Sequence, residues 1–186
     1  MQIAQHKRKE NIVEYLIYMF QIEDVIRSCN LDIKEIEQKI IHPTGFEAIV
    51  LVEMSEWYED LISQMKENGV EAVGHIAMLT DLIDELTDLH LILINEVQDK
   101  KYVNLFNIAL PAINDIKSKS DKLDISEVEC CLNGLYGLLL LRLKKAHITD
   151  ATQDAMKTIA KLMAYLAKMY NDKNSGALEL QNTLKN

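Results

Sequence analysis

Apolar residues recur every three or four positions along almost the whole chain, and the strict alternation that marks a strand is absent. This pattern predicts amphipathic helices, each pressing one stripe onto a shared core. The first covers residues 9–28, with the stripe Ile12, Tyr15, Leu16, Met19, Ile22 and Ile26. A short second helix over 32–41 opens on Asp32 with Glu35 three residues on, the spacing of a capping box, and stops at His42-Pro43. The third opens at Thr44 with Glu47 as its box partner and closes at Asn68-Gly69. Its stripe is Phe46, Val50, Met54, Trp57, Leu61 and Met65, and residues 49–52 are apolar all round, which predicts cover on two sides. Trp57-Tyr58 reads as core plus edge.

The fourth helix, over 70–99, is the longest, striped by Val73, Ile76, Leu79, Leu82, Ile83, Leu86, Leu89, Leu93 and Val97. A fifth over 101–118 contains Pro111, which predicts a kink or a break. After a polar loop over 117–123, a sixth helix starts at Ser126, with Glu129 three residues on, and ends near Lys145. The seventh starts at Thr149-Asp150 and ends near Tyr170, leaving 171–186 as a loosely ordered tail. No repeat or long linker divides the sequence. The expected fold is therefore an all-α, single-domain bundle over residues 1–186, with six or seven helices running mostly up and down.

Composition narrows the function classes. At 186 residues, 48% hydrophobic and 26% charged, the chain can bury one core. A net charge of -9 argues against nucleic acid, and the basic run His6-Lys7-Arg8-Lys9 reads as a solvated helix start. The longest apolar runs fall far short of the ~20 residues that span a bilayer, so no membrane partner is expected. The start Met1-Gln2-Ile3-Ala4-Gln5 has no apolar run behind a basic patch, so no signal peptide is expected. Cys29, Cys130 and Cys131 form no C-x-x-C spacing and read as core filler in a reducing cytoplasm.

Three sets of polar residues are candidates for chemistry. On a wheel stepping about 100° per residue, Leu79, Leu82, Leu86 and Leu89 lie within about 40° of His75, which places His75 on the buried stripe. His90 lies roughly 60° round and roughly 22 Å further along, so the two cannot share a metal through one helix and read as hydrogen-bonded core or edge residues. Glu56-x-x-Glu59 and Glu85-x-x-Asp88 have the spacing of the all-helical nucleoside-triphosphate pyrophosphohydrolases, in which such carboxylates hold magnesium. On the wheel, however, they oppose the apolar stripes, as a solvated acidic face does. In the first helix, Glu23 falls among apolar positions, with Arg27 four residues on. Arg142 interrupts the sixth helix beside Leu135 and Leu139, where a covered guanidinium needs an acid; Glu23 or Asp24 is the candidate. Two readings are open: an ion pair that fixes helix packing, or one wall of a ligand pocket with Tyr15, Tyr18 and Tyr136 nearby.

Several stretches together resemble a known family. They are Lys7-Arg8-Lys9-Glu10-Asn11-Ile12, Glu14-Tyr15-Leu16-Ile17-Tyr18-Met19 and Gln21-Ile22-Glu23-Asp24-Val25-Ile26-Arg27, then Gly74-His75, Leu89-His90, the run from Leu135-Tyr136-Gly137 through Leu141-Arg142-Leu143, and Ile148-Thr149 with Thr152. This set is similar to an uncharacterised family of small helical proteins from Bacteroidetes bacteria, catalogued as a domain of unknown function. The resemblance covers nearly the whole chain and implies a cytoplasmic, all-helical protein with no carried-over catalytic residues. The expected function is a non-catalytic binding or interaction protein, a homodimer without cofactor. The alternatives are a magnesium-dependent pyrophosphohydrolase using Glu56, Glu59, Glu85 and Asp88, and a small-ligand protein with a pocket lined by Glu23 and Arg142.

Overall fold

The computed structural model describes residues 2–119 and 124–176. Among these residues every regular element is helical: α1 (Gln2–Glu10), α2 (Ile12–Ser28), α3 (Ile33–Ile36), α4 (Ala48–Glu67), α5 (Ala77–Leu91), α6 (Lys100–Lys117), α7 (Glu127–Leu143) and α8 (Asp150–Asn174). α3 runs on through a π turn, Glu37–Ile41, and a 3-10 turn, His42–Thr44, while α5 runs on through a π turn, Ile92–Glu96. The all-helical class is as the periodicity predicts. The α-helices described number eight rather than six or seven.

The extra helix arises at Asn11. Its backbone is extended, and its side-chain oxygen accepts from the Val13 and Glu14 N–H groups at 3.0 and 3.2 Å. That cap starts α2 and separates it from α1, so the predicted start at Lys9 is corrected to Ile12. Side-chain caps also fix α7 (Ser126 to the Glu129 N–H), α8 (Thr149 to the Thr152 N–H) and α6 (Asp99 to the Tyr102 N–H).

Two helices begin later than their periodicity suggests. The Thr44 hydroxyl donates back to Ile41 O at 2.7 Å and Gly45 turns left-handed, so α4 begins at Ala48 and the Glu47 side chain caps nothing. Gly69 and Gly74 have φ of 67° and 97°, which turns the chain over residues 69–76 and delays α5 to Ala77. Asn68 Oδ1 accepts from the Ala77 N–H at 2.7 Å and ties the ends of this loop together. Val73 and Val97, expected on the buried stripe, are 78% and 50% exposed because both lie outside α5. α6 continues through Pro111, which sits on an exposed side where water can bond the Asn107 carbonyl that the ring leaves unpaired. α8 runs to Asn174, so the tail expected from residue 171 is helical at its start. Residues 120–123 of the expected loop and 177–186 of the expected tail lie outside the described residues.

α8 packs against α2, α5, α6 and α7, and α7 touches α2, α5 and α6. α4 lies outside this group, against α2 and the α3 segment. The buried apolar side chains form one cluster, with Leu16, Leu86, Leu132, Ile159 and Leu166 fully enclosed. All three cysteines are free and buried within it. His90 is also enclosed: its Nδ1 lies 2.7 Å from the Tyr102 hydroxyl, and its ring packs edge-on against Phe106. Burial lowers the His90 imidazole from its ordinary 6.5, against the opposing pull of the Glu127 carboxylate.

Two predictions follow from these contacts. Asn11→Ala should cost about 1 kcal/mol in urea denaturation, with Asn11→Asp close to wild type, since only the former removes the cap. For His90, the unfolded chain takes up a proton at higher pH than the native one. Its contribution is therefore complete above pH 6.5 and is lost as pH falls through the lowered native value. A stability-versus-pH series should show that acid slope, and His90→Gln should flatten it.

Candidate functional site

Phe20, Glu23, Asp24 and Arg27 share one face of α2 by their i, i+3, i+4 and i+7 spacing. The loop over 69–76 folds across this face. Glu23, 1% exposed, accepts from His75 Nδ1 at 2.6 Å and from the Ile76 N–H at 2.9 Å. Ile76 is the N-cap residue of α5 and has no side-chain acceptor, so α2 supplies the carboxylate that the N-terminus of α5 lacks. The His75 ring stacks on Phe20 at 3.8 Å, and Tyr136 of α7 meets Phe20 edge-on.

A second chain of contacts runs alongside. The Tyr136 hydroxyl donates to Asp24 Oδ2 at 2.5 Å, and Arg27 Nη1 donates to Asp24 Oδ1 at 3.0 Å. Arg27 Nη2 donates to the loop carbonyls of Val70 (3.1 Å) and Gly74 (2.5 Å). Burial, reinforced by the bond to Asp24, raises the Tyr136 hydroxyl well above its ordinary 10, so it stays a donor. Arg27 Nε is buried without a hydrogen-bond partner among the described residues. A side chain at Gly74 would combine a left-handed backbone with a 3.3 Å approach to Val70 Cγ1. The cluster therefore works as a staple that holds the loop and the start of α5 against α2.

Several expectations change here. His75 lies in the loop on Phe20 rather than on a helical stripe, because α5 begins two residues after it. Arg27 bonds Asp24 and the loop rather than Glu23. Arg142 is exposed on the last turn of α7 and has no hydrogen-bond or ion-pair partner among the described residues; Glu23 and Asp24 are taken by His75, Ile76, Tyr136 and Arg27. Tyr15 and Tyr18 face cations of α1, Arg8 and Lys7, at 5.7 and 6.0 Å from the ring centres. Of the expected group, Tyr136 thus joins Glu23, Asp24, Arg27 and His75, while Arg142, Tyr15 and Tyr18 make none of these bonds. The parts the sequence reading missed are Phe20, as the platform for His75, and Gly74, whose pairing with His75 placed a turn residue beside the imidazole.

The acidic pairs are placed apart. Glu56 and Glu59 are exposed on α4 and border α3 or its extension, while Glu85 of α5 accepts from the Tyr170 hydroxyl of α8 at 2.8 Å. Asp88 is exposed on α5. Among the described residues, no group of three or more His, Cys, Asp or Glu is placed to hold a metal ion.

A different surface stands out on α4. Residues 49–52, expected to be covered on two sides, expose Ile49 (69%) and Val52 (56%), and Phe46 three residues earlier is 51% exposed. The reason is the peripheral position of α4, whose packing partners are α2 and the α3 segment. Beside this face an open groove of about 320 Å³ separates α4 from the π turn after α3. Ile41, Leu51 and Val52 supply its apolar lining, and Glu37, Glu56 and Glu59 supply carboxylates. Glu37 is held by the Ser55 hydroxyl at 2.5 Å.

A family model described as Domain of unknown function (DUF4924) matches residues 1–177. Neither a curated protein nor a solved structure matches the chain.

Removing the Glu23 carboxylate leaves the Ile76 N–H unpaired and frees the loop. Glu23→Ala should therefore cost about 3 kcal/mol in urea denaturation, with Glu23→Gln intermediate because it keeps one acceptor. Arg142→Ala should stay within about 0.5 kcal/mol of wild type, as an exposed side chain without a partner does.

Proposed function

This chain belongs to the family described as Domain of unknown function (DUF4924), and we propose that it is a non-catalytic interaction protein that pairs with a second copy through the first half of α4. The observation that carries this reading is Ile49 and Val52, three residues apart on one face of α4 and 69% and 56% exposed, with Phe46, 51% exposed, in the segment just before the helix. Exposed apolar residues scattered singly are ordinary on a protein surface, but a run along one face marks a place where something docks. Among assemblies of a single chain, two-fold dimers are the commonest.

The non-catalytic part of the reading rests on how the polar groups are spent. Glu23, the most buried carboxylate, is committed to His75 and Ile76, and the three thiols lie in the core. Burial raises the Cys130 and Cys131 thiols, which disfavours the nucleophilic thiolate. Free thiols suit a reducing compartment, and the cytoplasm is part of the proposal. No helix among the described residues is long and apolar enough to cross a membrane.

Light scattering over a range of concentrations tests the reading. The wild-type chain should show the mass of a dimer. Ile49→Ser combined with Val52→Ser should weaken association by about tenfold or more while leaving the helical signal unchanged. A wild-type mass that stays that of one chain at every concentration would overturn it.

A further inference from the structure

The groove beside α4 and the end of α7 are opposite in charge. The groove has an apolar lining of Ile41, Leu51 and Val52 with Glu37, Glu56 and Glu59 around it. Glu56 and Glu59 are exposed, and neither carboxylate has a hydrogen bond or ion pair with another described residue. At the far end of α7 the pattern inverts. Leu141 and Leu143 are 40% and 59% exposed, and Arg142, Lys144 and Lys145 are exposed beside them. The side chains of these three cations make no hydrogen bond or ion pair with another described residue.

The end of α7 is a defined shape rather than a fray. Lys145 adopts a left-handed backbone with φ 51°, its N–H donates to Arg142 O, and the Ala146 N–H closes back onto Leu141 O at 2.9 Å. The turn bonds the Leu140, Leu141 and Arg142 carbonyls and leaves Leu141 and Lys144 on one side of the helix end. Within one copy this knob contributes nothing to the core.

We propose that the groove between α4 and the extension of α3 receives the C-terminal end of α7 from a second copy of this chain. The inference rests on the self-association reading above and adds the surface that meets the α4 side. Charge selects this occupant. Copies that each carry -9 repel at long range, so a stable contact between them sets cations of one against acids of the other. Leu141 then covers the apolar lining while Lys144, three residues on along the same side of α7, reaches Glu56 and Glu59 with Lys145 beside it. Because groove and knob lie on different elements, a two-fold pair makes the contact twice.

Two charge-reversed variants test this: Lys144→Glu with Lys145→Glu, and Glu56→Lys with Glu59→Lys. All four residues are exposed, so circular dichroism and thermal midpoint should match wild type. By light scattering, each variant alone should associate about tenfold more weakly than wild type or worse. Mixed in equal amounts, they should recover the wild-type mass, because each knob then meets a groove of opposite sign. Added salt should weaken the wild-type and the mixed pair alike. A wild-type chain that is strictly monomeric sinks this inference together with the self-association reading. A dimer that survives both reversals, yet dissolves on Ile49→Ser with Val52→Ser, sinks this inference alone. So does a mixture that stays monomeric. Binding of phosphatidylserine vesicles that is lost in the lysine variant, with self-association intact, would assign the end of α7 to a lipid surface and overturn the proposal.

Discussion

Taking a carboxylate out of water is costly unless it gains partners that replace its hydration, and Glu23 does so on the face of α2. Its partners, His75 Nδ1 and the Ile76 N–H, both belong to the segment that launches α5. The direction in which α5 leaves the loop is therefore set by a charge on another helix. From that launch point α5 lays Leu79, Leu82, Leu86 and Leu89 against α7 and α8. Arg27 and Tyr136 reinforce the same junction from either side, one through loop carbonyls and one through Asp24.

This junction also explains why α4 is peripheral. Continuous helix from residue 70 would extend the fourth rod alongside the third. Instead the chain turns at Gly69 and Gly74, crosses α2, and carries α5 to the α7–α8 side, leaving α4 with α2 and the α3 segment. The covered side of α4 holds Met54, Tyr58, Leu61, Ile62 and Met65, and its opposite side near the N-terminus keeps Ile49 and Val52 in water. The apolar surface on which the proposed function depends is thus a consequence of where a buried acid found its partners.

The helices themselves were legible because their signal is local. A stripe at period 3.6 reports which side faces inward whatever lies opposite, and the stripes of α2 and the middle of α5 are buried accordingly. The cap at Ser126 was legible from the glutamate three residues on, whereas the same spacing at Thr44 and Glu47 marked a 3-10 turn instead of a helix start. Asn11 and Glu14 carry the same spacing, and that signal would have separated α1 from α2. The pairing of polar side chains was not legible. A helix wheel assigns an angle only if the helix exists at that residue, and moving one start from 70 to 77 transferred His75 from a stripe to a loop. Arg142 failed for a related reason: its angle matched Leu135 and Leu139, which are only half-buried, and the last turn of α7 beyond them is exposed. The register of an ion pair depends on how rods are offset along their axes, which periodicity does not encode.

The bond from Asn68 to the Ala77 N–H has a practical consequence. It closes the base of the bend whose tip is Val73, 78% exposed. Sequence spliced in at that tip would hang from a clasped neck, and lengthening a loop adds closure entropy only slowly, roughly 0.6 kcal/mol per doubling. The tip is therefore a ready attachment point for an epitope or a fluorescent reporter.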